Sequence, residues 1–235
     1  MNKRASSSGM SDDVSDVFAV IVSSSKYFHN FRHASNALAV YSTMRRLGVP
    51  DSHITLMLAG AVPCDVRSVL AGSVFNSAAR TLDLYPADVR PAYRGDDVTV
   101  ENLLGVLTDR LPFRTPASRR LQSGPNSRVV IYLTGHGGDE FLKFSDHFEL
   151  TAAELAEAAR AMFAHRRCAE LLLVVDTCQA ATLTDWVAAT ALPGEPAMRV
   201  ISLASSALGE NSYSFDLDRT LGVALSDRST CQNPT

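Results

Sequence analysis

Two short stretches bring together residue types able to do covalent chemistry. In "LLLVVDTCQAAT", residues 171–182, five apolar residues run into Asp176, Thr177 and Cys178 before small, helix-tolerant residues begin. In "VVIYLTGHGGDE", residues 129–140, a second apolar run ends on Thr134 and Gly135, and His136 follows, then Gly137 and Gly138. A free thiol has a pKa of about 8.5 and is mostly protonated at neutral pH. Its use as a nucleophile calls for a neighbour that takes the proton or, when charged, holds the thiolate, and an imidazole does either. Gly137 would let a backbone amide approach a reacting carbonyl, and together with the amide of Cys178 it could form an oxyanion hole. A helix beginning after Cys178 would add a dipole that favours the thiolate.

Each residue also has a plainer use: Cys178 as a small buried hydrophobe, His136 as a loop residue bonded to backbone. Their placement argues for the joint use. Apolar periodicity predicts strands over 17–24, 53–58, 129–135, 170–176 and 199–206. Between them it predicts helices over 34–47, from Thr99 to 111, and over 151–167, the last opened by Thr151 and Glu154 at capping-box spacing. Strands alternating with helices predict an α/β fold, a mostly parallel sheet flanked by helices on both faces. Reactive groups in such a sheet collect at the carboxyl ends of the strands. If the consecutive strands 129–135 and 170–176 are neighbours, His136 and Cys178 share one rim. The stretch from Gly60 to Asp97 has no strong period and reads as a long loop, a class that is often functional.

Composition narrows the classes further. The chain has 235 residues, 46% apolar and 20% charged, enough for one large core in a single domain. A net charge of −3 with scattered basic residues offers no field for nucleic acid. Cys64, Cys168, Cys178 and Cys231 are too few for a disulfide scaffold and lack C-x-x-C spacing. "GHGGDE" is not G-x-G-x-x-G and does not follow the first strand, which argues against dinucleotide binding. The polar, Ser-rich start holds no secretory signal as written, and no window reaches the roughly 18 apolar residues of a membrane span.

The stretches "SSSKYFHNFRHASNALAVYSTMRRLGVPDSHITLML", "YRGDDVTVENLLGVLTDR", "RVVIYLTGHGGDEFLKF" and "LLLVVDTCQAATL" resemble the legumain-type cysteine peptidases. Within these they are most similar to the branch that transfers proteins onto glycosylphosphatidylinositol (GPI). The resemblance covers most of residues 17–228 and implies a caspase-like fold with six strands and a catalytic dyad at His136 and Cys178. It also implies a third site residue, Asn30, which orients the histidine, and Arg32 and Ser212 in the pocket for the residue before the cleaved bond. The implied reaction is acyl transfer from a proprotein bearing a C-terminal GPI signal, through a thioester, to the ethanolamine amine of the glycolipid. The implied setting is the endoplasmic reticulum, in a complex with partner subunits, one joined through a disulfide at Cys64. No cofactor is implied. No metal site is assigned, because "RPAYRG" carries Arg90 and Ala92 where relatives often have acidic residues.

Other features depart from the resemblance or qualify it. Val223 stands where legumains carry an acidic residue that meets substrate asparagine, which argues against strict asparaginyl cleavage. Relatives begin with an entry signal and continue through another helix and a final strand, so the expected fold lacks its C-terminal strand. The expected layout is one caspase-like domain over 17–228, with disordered segments at 1–16 and 229–235. Cys168 reads as structural, and His29 and His33 as either substrate contacts or loop and helix-start packing. Two alternatives stay open: a soluble asparaginyl-type endopeptidase, and an inactive scaffold or binding subunit.

Overall fold

The apolar run at the start of the domain forms β1, Val17–Ser23, buried almost end to end. A strand buried on both faces belongs in the middle of a parallel sheet, and the computed structural model, which describes residues 14–189 and 199–230, places it there. The chain continues through α1 (Phe31–Arg46), β2 (Ile54–Leu58), β3 (Tyr93–Arg94), α2 (Val100–Thr108) and β4 (Arg128–Thr134). Three short strands follow, β5 (Gly137–Gly138), β6 (Phe141–Phe144) and β7 (Phe148–Thr151), then α3 (Ala152–Ala164), β8 (Glu170–Asp176) and α4 (Ala181–Ala189). The last elements are β9 (Arg199–Ala204), β10 (Ser214–Asp218) and β11 (Val223–Asp227).

The main sheet has six strands in the order β3-β2-β1-β4-β8-β9, all neighbours parallel. Alternation along the strands divides the core in two. Val20, Val22, Ile131, Leu133, Leu171, Leu173 and Val175 pack with α2, α3 and α4. Ala19, Ile21, Leu56, Leu58 and Tyr132 pack with α1 and with Leu225 of β11. The α/β sheet read from periodicity is therefore present, with helices on both faces. The five strands read from the sequence are all there, and the sixth is β3, two residues inside the stretch that reads as a long loop. A two-residue strand is too short for a period to register. The antiparallel sheet β5-β6-β7 and the hairpin β10-β11 escape notice for a similar reason.

The ends of the elements follow their local chemistry. Thr99 accepts from the backbone of Asn102 at 3.1 Å and opens α2. Thr151 and Glu154 form the full capping box at the start of α3. Helix α1 begins at Phe31, three residues earlier than its apolar stripe suggests, because a 3-10 turn over Phe28–Asn30 leads straight into it. Beyond β11 the described chain runs to Thr230, which is hydrogen-bonded to Asp176 at 2.7 Å. Residues 1–13 and 231–235, including Cys231, lie outside the described residues, and Val14–Asp16 form a 3-10 turn. Strand β9 is an edge of the sheet, and its Ile201 and Leu203 are 66% and 55% exposed. Among the described residues no helix is long and apolar enough to cross a membrane.

Two substitutions should rank the contributions. Leu133 is fully buried in β4, so Leu133→Ala is expected to lower urea-unfolding stability by about 2–5 kcal/mol. Thr151→Ala removes only the cap and should cost about 1 kcal/mol. Equal losses in the two variants would contradict this account of the core.

Candidate active site

The last paired residues of β4 and β8 are Thr134 and Asp176. His136 and Cys178 each lie two residues further on, so both emerge on the carboxyl-end rim, from strands spaced about 4.8 Å apart. Both residues are partly exposed. The neighbouring strands bring the two predicted residues to one mouth.

Asn30 fixes how the imidazole is presented. Its Nδ2 donates to the backbone carbonyl of Lys26 at 2.6 Å, which leaves Oδ1 as the acceptor 2.8 Å from His136 Nε2. Nε2 must then carry the hydrogen, and Nδ1 holds the free lone pair. Asn30 is 2% exposed and occupies the N-cap of α1, yet its side chain makes no capping bond. The 3-10 turn over Phe28–Asn30 leads into the helix without a capping side chain, which leaves the Asn30 amide available to His136. Burial, with the Arg32 guanidinium as the next cause, pushes the His136 pKa below its ordinary value. The ring is thus neutral at neutral pH and able to accept a proton.

Gly137 opens β5. Lys143 N donates to His136 O at 2.8 Å, so the adjoining pair Gly137–Leu142 falls at the non-hydrogen-bonded position of the antiparallel ladder. The Gly137 N–H therefore points away from β6. A Cβ on this residue would sit 2.5 Å from Thr177 Oγ1 and 2.7 Å from Phe141 O. Only glycine allows the hairpin to lie this close to the turn that carries Cys178.

That turn is held from the far side by the segment after β9. Ser205 Oγ accepts from Thr177 N and donates to Thr177 O, both at 3.1 Å, and Ser206 Oγ donates to the same carbonyl at 2.7 Å. Gln179, next to the cysteine, has φ of 54°, and its N–H donates to Glu210 O at 2.9 Å. Helix α4 starts at Ala181, so the dipole expected directly behind the thiol begins three residues on. Cys178 and Cys64 are free thiols, Cys64 exposed. Burial raises the Cys168 thiol to about 11, as suits an inert core residue.

Arg32 and Ser212, expected in a substrate pocket, are each bound to a carboxylate. Arg32 Nε donates to Asp227 Oδ1 at 2.8 Å, and Asn36 Nδ2 to Asp227 Oδ2 at 2.8 Å. Ser212 Oγ donates to Asp176 Oδ1 at 3.1 Å. Burial, strengthened by the charge of Asp176 and opposed by Arg32, raises Asp227 to about 6. Sequence reasoning gave neither acid a role: Asp176 ends the strand that leads to Cys178, whereas Asp227 ends β11, part of the hairpin that left no signal. Val223, by contrast, is packed in the core with Leu225. The acidic group beside Arg32 is Asp227, four positions on.

His33 is buried. Its Nδ1 lies 3.0 Å from Ser25 Oγ, its Nε2 4.0 Å from Asp227 Oδ2, and its ring meets His136 edge-on at 4.9 Å. Burial holds its pKa well below the ordinary value. His29 is exposed. Among the described residues no group of three or more His, Cys, Asp or Glu side chains is arranged to hold a metal ion. Two cavities of about 490 Å³ lie elsewhere, between α2 and α3 and at the foot of the sheet. A third cavity, of about 480 Å³, reaches the rim at Asp176, Ser205 and Thr230.

A parallel α/β sheet with a histidine and a cysteine following neighbouring strands at one rim is the arrangement of a caspase-like cysteine peptidase. The chain belongs to the peptidase C13 family, whose model matches residues 17–230. It is 46% identical over 213 residues to a putative GPI-anchor transamidase of Caenorhabditis elegans, covering 91% of this chain and 64% of the relative. It is 45% identical over 213 residues to the GPI-anchor transamidase of Homo sapiens, covering 91% of this chain and 52% of that protein. With the GPI-anchor transamidase of Schizosaccharomyces pombe the identity is 42% over 216 residues, 92% of this chain and 55% of the relative. The chain thus spans little more than half to just under two thirds of the length of these relatives.

The buried groups set the pH dependence of stability. Free imidazoles protonate near pH 6.5, while the folded His33 and His136 stay neutral to lower pH. Below about 6.5 the unfolded chain therefore binds more protons, and stability should fall as pH falls. Asp227 acts oppositely. With a folded pKa of about 6 against roughly 3.9 unfolded, its contribution declines as pH rises between those values. In urea titrations at stepped pH, His33→Gln should flatten the slope below pH 6.5 and Asp227→Asn should steepen it. Slopes identical to wild type in both variants would refute the assignment.

Proposed function

We propose that this chain is the catalytic part of a GPI-anchor transamidase. Cys178 Sγ attacks the peptide carbonyl at the attachment site of a proprotein, the C–N bond breaks, the C-terminal signal leaves as an amine, and the acyl group remains as a thioester. The amine of the GPI ethanolamine phosphate then attacks the thioester, forms an amide and releases the thiol. His136 Nδ1 takes the thiol proton, passes it to the leaving amine, and takes a proton from the incoming amine. Asn30 keeps the Nε2–H engaged, so that Nδ1 faces the reaction. The amides of Gly137 and Cys178 receive the developing oxyanion. Arg32 and Ser212, with Asp227 and Asp176 behind them, line the pocket for the residue before the scissile bond. The observation that carries this reading is the 2.8 Å contact of Asn30 Oδ1 with His136 Nε2, which supports a neutral base on the same rim as the end of the strand that leads to Cys178.

The names of the relatives support the amine as acceptor, and the family resemblance implies action in the endoplasmic reticulum among partner subunits. Cys64, exposed and free, has the accessibility that an inter-subunit disulfide needs. A second reading, hydrolysis after asparagine, is favoured by one feature: the Arg32–Asp227 pair offers both a donor and an acceptor, as an amide side chain would require.

Cys178→Ala and His136→Ala are each expected to lower acyl transfer by about a hundredfold or more while leaving the urea midpoint near that of wild type. Full activity in Cys178→Ala would overturn the nucleophile assignment. Added hydroxylamine distinguishes the two reactions: a hydroxamate at the attachment residue supports transfer to an amine, and free acid alone supports hydrolysis. For the partner link, non-reducing electrophoresis of membranes should show a disulfide-joined band that Cys64→Ser removes, and its absence in wild type would exclude the covalent link.

A further inference from the structure

Past the last ladder pair, Thr134 and Asp176, no sheet hydrogen bond sets the distance between the segment carrying His136 and the segment carrying Cys178. A different bond does so. Thr182 Oγ1 donates to Gln179 O at 2.8 Å and accepts from Glu140 N at 2.8 Å. Gln179 follows the cysteine directly, and Glu140 lies in the tight turn between β5 and β6, the hairpin that starts at Gly137. One buried hydroxyl thus connects the nucleophile's turn to the hairpin of the imidazole and the oxyanion amide. We propose that Thr182 is a positioning residue for the reaction, setting the separation of the Cys178 thiol from His136 and Gly137. The inference rests on the reading that His136 and Cys178 act together.

Three properties of the site favour this role. Gln179 and Glu140 both have left-handed backbone, φ of 54° and 63°. Non-glycine residues keep that conformation only where their surroundings over-determine it, and the same hydroxyl bonds to both. Its donor and its acceptor capacity face opposite segments, so neither can shift without losing a bond. One turn further along α4, on the same helix face, Trp186 Nε1 donates to Glu140 Oε1 at 3.0 Å. The helix therefore holds the hairpin turn by both its backbone and its side chain. Thr182 touches neither substrate nor the reacting atoms. Its effect would pass through geometry, where a displacement near 1 Å is enough to cost about a hundredfold in rate.

The test compares Thr182→Val, which keeps the shape and loses the hydroxyl, with Thr182→Ser, which keeps the hydroxyl. The readout is the pH profile of iodoacetamide alkylation at Cys178, followed on the Cys178 peptide by mass spectrometry, with kcat and KM on a peptide substrate beside it. His136→Ala serves as the reference. Thr182→Val should alkylate about tenfold more slowly at neutral pH, with its profile moved toward that of His136→Ala, and should lose kcat with KM within about twofold of wild type. Thr182→Ser should stay within about twofold of wild type in both measurements. A Val variant indistinguishable from wild type, or a Ser variant as slow as Val, overturns the inference. If Thr182→Val does not fold, Thr182→Ala takes its place against Thr182→Ser. An unchanged profile in His136→Ala would instead defeat the reading of the pair itself, so the two failures are separable.

Discussion

The parallel ladder between β4 and β8 determines what the rest of the chain is able to do. Seven residues of one strand face seven of the other, from Arg128 and Glu170 at the foot to Thr134 and Asp176 at the rim. Parallel pairing makes both strands finish at the same end, and matched register makes them finish at the same height. A slip of one residue would turn Leu171, Leu173 and Val175 out of the core formed with α2, α3 and α4. The apolar packing that stabilises the sheet therefore also aligns the thiol with the imidazole. Stability and chemistry are set by one register.

Beyond the ladder, control passes from backbone to side chains. Asn30 bridges Lys26 O and His136 Nε2, Ser205 and Ser206 hold Thr177, and Thr182 joins Gln179 to Glu140. These residues come from β1's exit, the exit of β9 and the start of α4, so three separate segments converge on the loops that follow β4 and β8. Such convergence is what a reactive pair requires, because a single loop could not be rigid enough to hold both groups in place. The glycines serve the same end by omission: a side chain on Gly137 would push the hairpin away from Thr177.

Much of this was legible in the residues. "VFAVIVS", "VVIYLT" and "ELLLVVD" are apolar runs long enough to be strands whatever surrounds them, and the polar residues at their ends mark a rim. Thr151 and Glu154 announced their helix through a local bond that needs no tertiary partner. Asn30 was not legible in this way. Nothing in "FHNFRH" distinguishes an asparagine that caps a helix from one that turns toward a residue 106 positions away, and only the family resemblance pointed to it. Strands β3 and β5 were invisible because two residues have no period, and their conformation is imposed by neighbours already in place.

Asp227 illustrates a different limit. Val223 invites comparison as the residue occupying a particular position in a pattern, yet its side chain belongs to the core, and the acid is delivered by the end of β11. Val223, Leu225 and Asp227 fall on one face of β11 and all three are buried, so what separates them is position along the strand: the first two pack in the core, and the last meets Arg32 and Asn36 where the strand ends. A carboxylate buried there would ordinarily be expensive. Arg32 and Asn36 offset that cost with direct bonds, while Asp176 nearby adds to it. The balance leaves Asp227 only partly committed to its charge near pH 6. Two acids, one guanidinium and one hydroxyl thus share their bonds at this rim, an arrangement that the count of acidic residues in a motif does not reveal.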